Sequence, residues 1–184
     1  NPPLNEKKIS KNTIFVIEAS SYQLDYSQLF SSKYSIILNI KPDHLERHKT
    51  LQNYVNAKFK LLDSQSKSCL AFVKSDDVLI SRKLKTKKFN CKIVKVNTKK
   101  NYNDFLEIDN KYFLTESNRE NLSFIIVLAK KLKLKNHLLQ KTIKNFKGLK
   151  YRQQIILQKK NLTIINDSKS TSFSSSVGMF KKAS

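Results

Sequence analysis

The sequence predicts an α/β fold, a mostly parallel sheet flanked by helices with a small antiparallel β portion. Three observations predict it. Apolar runs at residues 13–17 and 34–40 each end in polar groups, as buried parallel strands do when they deliver functional residues to one sheet edge. Between and after them, strand-like runs alternate with stretches of helical periodicity. Near the end of the chain, two apolar runs separated by Lys159, Lys160 and Asn161 read as a β-hairpin with a polar turn.

Each element follows from local pattern. Glu18 ends the first apolar run, and Asp43 and His44 follow the second. Thr50 is an N-cap for a helix whose apolar positions Leu51, Tyr54, Val55, Leu61 and Leu62 recur at helical spacing. Residues 69–73 form a further strand, followed by Ser75, Asp76 and Asp77 and a short helix over 78–84. Residues 92–96 are another strand. Residues 101–114 alternate weakly around Asp109, Asn110 and Lys111, which predicts a small antiparallel hairpin. A helix spans 118–134, with Leu122, Ile125, Ile126, Ala129 and Leu132 at three- and four-residue spacing and lysines at its C-terminal end, where the helix dipole favours them. A second spans 136–146, ended by Gly148, and a last helix is expected over 173–182.

Composition narrows the function. The 184 residues, 39% of them hydrophobic, suffice for a domain with a core. Lysine and arginine number 36 against 14 acidic residues, a net charge of +22, which raises nucleic acid or an anionic membrane as partner. The make-up argues against a nucleic-acid-binding module. Only Arg47, Arg82, Arg119 and Arg152 are arginines, and the lysines are scattered over every segment instead of forming one stripe. Cys69 and Cys91 lack metal-type spacing and form no ligand set with His44, His48 and His137, so they read as reduced core thiols. No apolar run approaches the roughly 20 residues that span a bilayer, and no signal-peptide pattern opens the chain, which gives a cytoplasmic reading. With Gly148 and Gly178 the only glycines, a GxxxxGK[ST] phosphate loop cannot be assembled, and the start at Asn1 suggests a fragment truncated before such a loop.

Three places are candidates for chemistry, each with a plain structural alternative that spacing alone favours. Lys58 falls within the apolar stripe of its helix, four residues after Tyr54 and four before Leu62. An inward lysine must lose its charge, find a carboxylate or be chemically modified, unless its stem lies on apolar surface while its head reaches water. Arg152, at the entrance of the hairpin, could clamp phosphate oxygens or form a surface ion pair. The run INDSKST over 165–171 offers donors and one cation to an anionic ligand, or is a capped loop.

The runs EASSYQLD at 18–25, NIKPDHLERH at 39–48 and YVNAK at 54–58, with GLKYR at 148–152 and NDSK at 166–169, resemble the central domain of the Mur ligases. Within that family they look most like the MurD branch, since the SSYQL and NDSK arrangements differ from those of the sister ligases. The resemblance implies residues 1–164 as part of the central ATP-binding domain and 165–184 as the junction with, and start of, the D-glutamate-binding domain. The implied chemistry is ATP-dependent amide synthesis through an acyl phosphate, joining D-glutamate to UDP-N-acetylmuramoyl-L-alanine in peptidoglycan synthesis, and hence in cell shape and division. The alternative is another Mur or folylpolyglutamate-synthetase-like ligase. The full-length protein is expected to be a monomer, and the fragment alone inactive.

The same resemblance implies site roles. Glu18 would hold Mg2+ at the nucleotide, His44 a second Mg2+ near the acyl group, and a carbamylated Lys58 would supply oxygen atoms to the metal site. Lys58, His44 and Lys169 would serve catalysis. Asn118, Arg152 and Asp167 would contact ATP, and Ser21 and Gln23 the UDP-linked substrate. Thr115 and Ser117 stand where relatives are expected to carry glycine and histidine.

Overall fold

The computed structural model describes residues 8–103 and 110–170. Its centre is a three-stranded parallel sheet in the order β1 (Tyr34–Ile37), β2 (Leu70–Lys74), β3 (Lys92–Val96). The register pairs Tyr34 with Leu70 and Leu70 with Lys92. Parallel neighbours need long crossovers. Here β1 and β2 are joined through α2 (Leu45–His48) and α3 (Leu51–Asp63), and β2 and β3 through α4 (Val78–Thr86).

Alternation along the strands sorts side chains to two covered faces. Ile37, Cys69, Ala71, Val73, Cys91 and Ile93 point to one face, where Tyr54, Val55, Phe59 and Leu62 of α3 and Ile80 of α4 meet them. Ile36, Leu70, Phe72, Val94 and Val96 point to the other, against Phe124, Val127 and Leu128 of α6 (Glu116–Lys131). The result is a helix–sheet–helix sandwich in which β2 is buried on both sides, as its unbroken run Leu-Ala-Phe-Val requires. Phe59 is fully buried on α3 and stacks on Phe89, a core position the predicted stripe did not include.

Caps fix the helix starts. Thr50 Oγ1 accepts from the Asn53 N–H, as predicted. Asp77 caps α4 through Oδ1 to the Ile80 N–H, while its Oδ2 accepts from the Ile40 N–H, each at 2.9 Å. One carboxylate thereby ties the loop after β1 to the loop after β2.

Past β3 come α5 (Thr98–Asn103), a 3-10 helix (Lys111–Leu114), α6, and α7 (Asn136–Asn145), followed by the hairpin β4 (Gln154–Lys159) and β5 (Leu162–Asn166). The hairpin is antiparallel with Lys159 paired to Leu162, so the turn is Lys160 and Asn161 and Lys159 belongs to the strand.

Two expected elements are corrected. Residues 13–17 form no strand: Ile14 and Val16 are 86% and 97% exposed, because among the described residues no strand offers this run a hydrogen-bond ladder. The hairpin expected over 101–114 is replaced, in its described parts, by the end of α5 and by the 3-10 helix, whose start is capped by Asn110 Oδ1 accepting from the Tyr112 N–H. Asn110, expected at a hairpin turn, is a helix cap instead. The helix expected over 173–182 lies outside the described residues.

Candidate functional site

The expected site residues fall into two groups at the ends of β1, α1 and the hairpin. The first is organised by α1 (Ser21–Tyr26), whose entry is a capping box: Ser20 Oγ accepts from the Gln23 N–H, and Gln23 Oε1 accepts from the Ser20 N–H at 2.8 Å. The Gln23 side chain therefore shapes the turn after Glu18, and its amide NH2 remains a donor. Ser21 is buried and its Oγ lies 3.0 Å from Nε2 of His48, itself buried. Tyr22 lies edge-on to the His44 ring at 5.0 Å and tilted on His48 at 5.6 Å, and its hydroxyl donates to Glu46.

His44 occupies a left-handed conformation, φ 54°, in the turn after β1, and its ring lies within 4 Å of the carboxylates of Asp43 and Glu46. The His48 ring in turn contacts Tyr54, over whose face the Lys58 ammonium sits at 5.0 Å. Lys58 is half-buried, as the stripe predicted. Burial holds its amine below the usual lysine range, while the Asp43 carboxylate opposes that shift. Asp43 and Tyr54 thus belong to the site beside Lys58. The signal for Asp43 in the sequence is its place immediately before His44.

The second group lines a cleft of about 900 Å³ between the 3-10 helix, the start of α6 and the hairpin. Asn118 is buried there, and its Nδ2 donates to the Tyr112 carbonyl at 2.7 Å and to Gln153 Oε1 at 3.3 Å. Thr115 caps α6 and donates its hydroxyl to the same Gln153 oxygen at 3.1 Å. Asp167 Oδ1 accepts from the Gln153 N–H at 3.0 Å, and the backbone N–H of Lys169 donates to the Tyr151 carbonyl. Tyr151 and Gln153 have positive φ, 65° and 47°, and Gly148 has φ 80°, so the segment before β4 is a chain of left-handed turns. Sequence reasoning missed Gln153 and Tyr112 as cleft residues and noted Thr115 only as standing in place of an expected glycine; for Gln153 no signal in the sequence exists. Lys169 is exposed.

Glu18 belongs to this second group by contact. Its carboxylate lies 3.5 Å from Arg152 Nη2, with the two side chains 90% and 46% exposed. An exposed pair at that distance is weak, so both groups remain available to a ligand. Among the described residues no three His, Cys, Asp or Glu side chains converge as a ready metal cage. Magnesium is ordinarily held by one or two carboxylates together with phosphate oxygens and water, and an exposed Glu18 beside the Arg152 guanidinium fits that mode.

Residues 3–147 match the family model of the Mur ligase middle domain. The chain is 34% identical over 177 residues to a UDP-N-acetylmuramoylalanine--D-glutamate ligase of Leptospira interrogans, covering 89% of this chain and 38% of that protein. It is 30% identical over 174 residues to the protein of the same name from Petrotoga mobilis, covering 91% and 40%, and 28% identical over 200 residues to that of Alkaliphilus metalliredigens, covering 98% and 44%. The chain thus spans about two-fifths of the length of the curated relatives it matches. The parallel sheet with helices on both faces, the small antiparallel hairpin and the family match together assign the chain to the Mur ligase family, of which it carries the middle domain.

Proposed function

We propose that the protein containing this chain is an ATP-dependent amide-forming ligase that adds D-glutamate to UDP-N-acetylmuramoyl-L-alanine in peptidoglycan synthesis, in the cytoplasm and as a monomer. In this reading residues 1–164 belong to the ATP-binding domain and 165–184 open the next. The observation that carries it is the placement of Lys58: a half-buried amine beside Asp43, on one wall with Tyr54, His48 and Ser21. The relatives' name supplies the substrates.

The cleft would take the nucleotide, with the Asn118 amide oxygen facing the base and Arg152 reaching its phosphates. Both donor contacts of the Asn118 amide are made within the protein, so it offers an acceptor to a base amino group. Asp167 positions Gln153, and through it the strained turn that carries Arg152. Lys169 would neutralise charge as phosphate passes to the substrate carboxylate and D-glutamate displaces it. Ser21 and the Gln23 amide would hold the UDP-linked substrate. A neutral Lys58 amine can take up carbon dioxide; the resulting carbamate would add oxygen donors beside His44. Glu18 would then hold magnesium at the nucleotide, and His44 with carbamylated Lys58 a second magnesium near the acyl group, where the cations would screen the charge repulsion between phosphate and carboxylate.

The test is phosphate release by the full-length protein with UDP-N-acetylmuramoyl-L-alanine, D-glutamate, ATP and magnesium, beside Lys58→Ala. Release that requires D-glutamate, collapses in the variant and returns with a short-chain carboxylate is expected. Release without need of D-glutamate would overturn the substrate assignment, and activity indifferent to Lys58 would overturn the carbamate role.

A further inference from the structure

Cys69 and Cys91 stand on adjacent strands one rung before the first paired positions of β2 and β3, Leu70 and Lys92. The Lys92 N–H donates to the Cys69 carbonyl at 3.0 Å, which fixes the two residues side by side. Alternation then decides where their side chains go. Leu70 and Val94 face α6, whereas Cys69, Ala71, Cys91 and Ile93 all belong to the opposite face, against α3 and α4. Two cysteines therefore share one face at directly neighbouring positions, where adjacent strands lie about 4.8 Å apart. That spacing falls inside the Cα separation of roughly 4.4–6.8 Å that a disulfide spans.

We propose that Cys69 and Cys91 form a reversible disulfide across β2 and β3, a modification site at the sheet edge opposite the candidate active site. Both are free thiols in the structure and mostly buried, 8% and 6% exposed. They are not equivalent. Ser66 Oγ lies 3.5 Å from Cys69 Sγ, and hydrogen bonding from Ser66, with a smaller contribution from Ser68 and the positive charge of Lys33, holds the Cys69 thiol below the ordinary cysteine range. Burial pushes the Cys91 thiol up. Cys69 is the attacking group and Cys91 the resolving one.

The oxidant is a low-molecular-weight disulfide. The Cys69 thiolate attacks one of its sulfurs, forming a mixed disulfide and releasing one small thiolate, which takes up the proton Cys69 gave. The Cys91 thiol, as it loses its proton, attacks Cys69 Sγ and displaces the second small thiol. One disulfide is reduced and one formed, so electrons and protons balance. The β2 strand is five residues long, so the bond lies about 17 Å from the loop ends that carry Asp77 and the site residues. The modification staples the sheet without touching the chemistry.

The experiment incubates the full-length protein, natively folded, with oxidised glutathione, blocks remaining thiols and digests with trypsin without reduction. The expected product is peptide 68–74, SCLAFVK, linked to peptide 89–92, FNCK, reverting with a reductant. Cys91→Ser should accumulate glutathione on Cys69, and Cys69→Ser should react at least about tenfold more slowly. The oxidised wild-type protein should melt at a higher temperature than the reduced one, with no such difference in either variant. Absence of the linked peptide, its appearance only after denaturation, or an oxidised form that melts no higher would overturn the proposal. The wild-type peptide map decides the matter even where a variant folds poorly.

Discussion

Gly148 is where a single methyl group should disturb fold and site together. Its φ of 80° lies in the left-handed region, and an added Cβ would sit 2.7 Å from Cδ2 and 2.8 Å from Cε2 of Tyr112. Ordinary contact begins at 3.4 Å, so the ring would have to retreat by 0.7 Å. It has little room, since Phe113 and Phe146 each pack edge-on against it at 5.1 Å. The left-handed backbone costs a non-glycine residue roughly 1–2 kcal/mol, and overpacking adds about 1–3 kcal/mol. Gly148→Ala should thus destabilise the local structure by about 2–5 kcal/mol. Hydrogen exchange of peptides covering residues 110–118 reads local opening directly, and even the lower figure is more than about tenfold faster exchange. Because the moved segment carries Arg152 and Gln153 into the cleft, nucleotide affinity should fall as well. A second variant separates the two causes: Tyr112→Leu should relieve the overlap but not the backbone strain, so adding Gly148→Ala to it should cost less than in the wild type. Exchange and nucleotide affinity unchanged by Gly148→Ala would refute the reasoning, and full additivity of the two substitutions would refute the steric part of it.

Two further predictions concern anchoring and charge. Asp77→Ala removes the α4 cap, about 1 kcal/mol, and leaves the Ile40 N–H without its acceptor, a further 1–3 kcal/mol or so; Asp77→Asn, with one oxygen, should fall between. The expected result is a lower melting temperature with faster exchange at residues 38–44, and protection there equal to wild type would count against Asp77 as the tie between the two loops. Asp25 accepts from the Lys60 ammonium at 2.8 Å, and that hydrogen bond holds its carboxyl below the ordinary aspartate range. A depressed carboxylate stabilises the folded state above its unfolded pKa, near 3.9, and that contribution vanishes as pH falls through the lower folded value. Lys60→Met should therefore lower the melting temperature at pH 7 slightly, the pair being exposed, and the gap to wild type should narrow as pH falls through the lowered folded value, leaving the part due to the Lys60 bond to the Asp25 carbonyl. A gap in acid equal to that at pH 7 would show that the Asp25 carboxylate contributes nothing and that Lys60 acts through its bond to the Asp25 carbonyl at 2.7 Å and through packing.

The sandwich was legible because its signals are local. The strands expected at 92–96 and 69–73 and the helix from Thr50 announce themselves through apolar runs, helical periodicity and the Thr50 cap, whereas the helix expected over 118–134 starts two residues earlier, behind a Thr115 cap that the reading did not assign. The inward placement of Lys58 followed from the same periodicity. What was not legible depends on partners distant in the chain. The run at 13–17 has the composition of a strand, but a strand exists only where another supplies its ladder, and composition carries no information about that. The cleft is similar: Gln153 becomes part of it through Asp167, Thr115 and Asn118, which lie 14 to 38 residues away. Its left-handed backbone is set by those bonds, since glutamine itself has no preference for that region.

The capping box at α1 links what the two halves of the site need. Glu18 stands two residues before the N-cap and Ser21 one residue after it, so the reciprocal Ser20–Gln23 bonds fix the angle between the carboxylate that meets Arg152 and the hydroxyl that meets His48. A six-residue helix is too short to be stable by propensity, and its apolar contribution to the core is Leu24. Its position depends instead on the cap, on the Ser21–His48 contact and on the Asp25–Lys60 pair, which fastens its last turn to α3. The same helix surface therefore carries both structural bonds and candidate substrate contacts. Substitutions at Ser20 or Gln23 should consequently disturb Glu18 and Ser21 together, and no single-residue change at either position separates the candidate substrate contact from the Glu18–Arg152 pair.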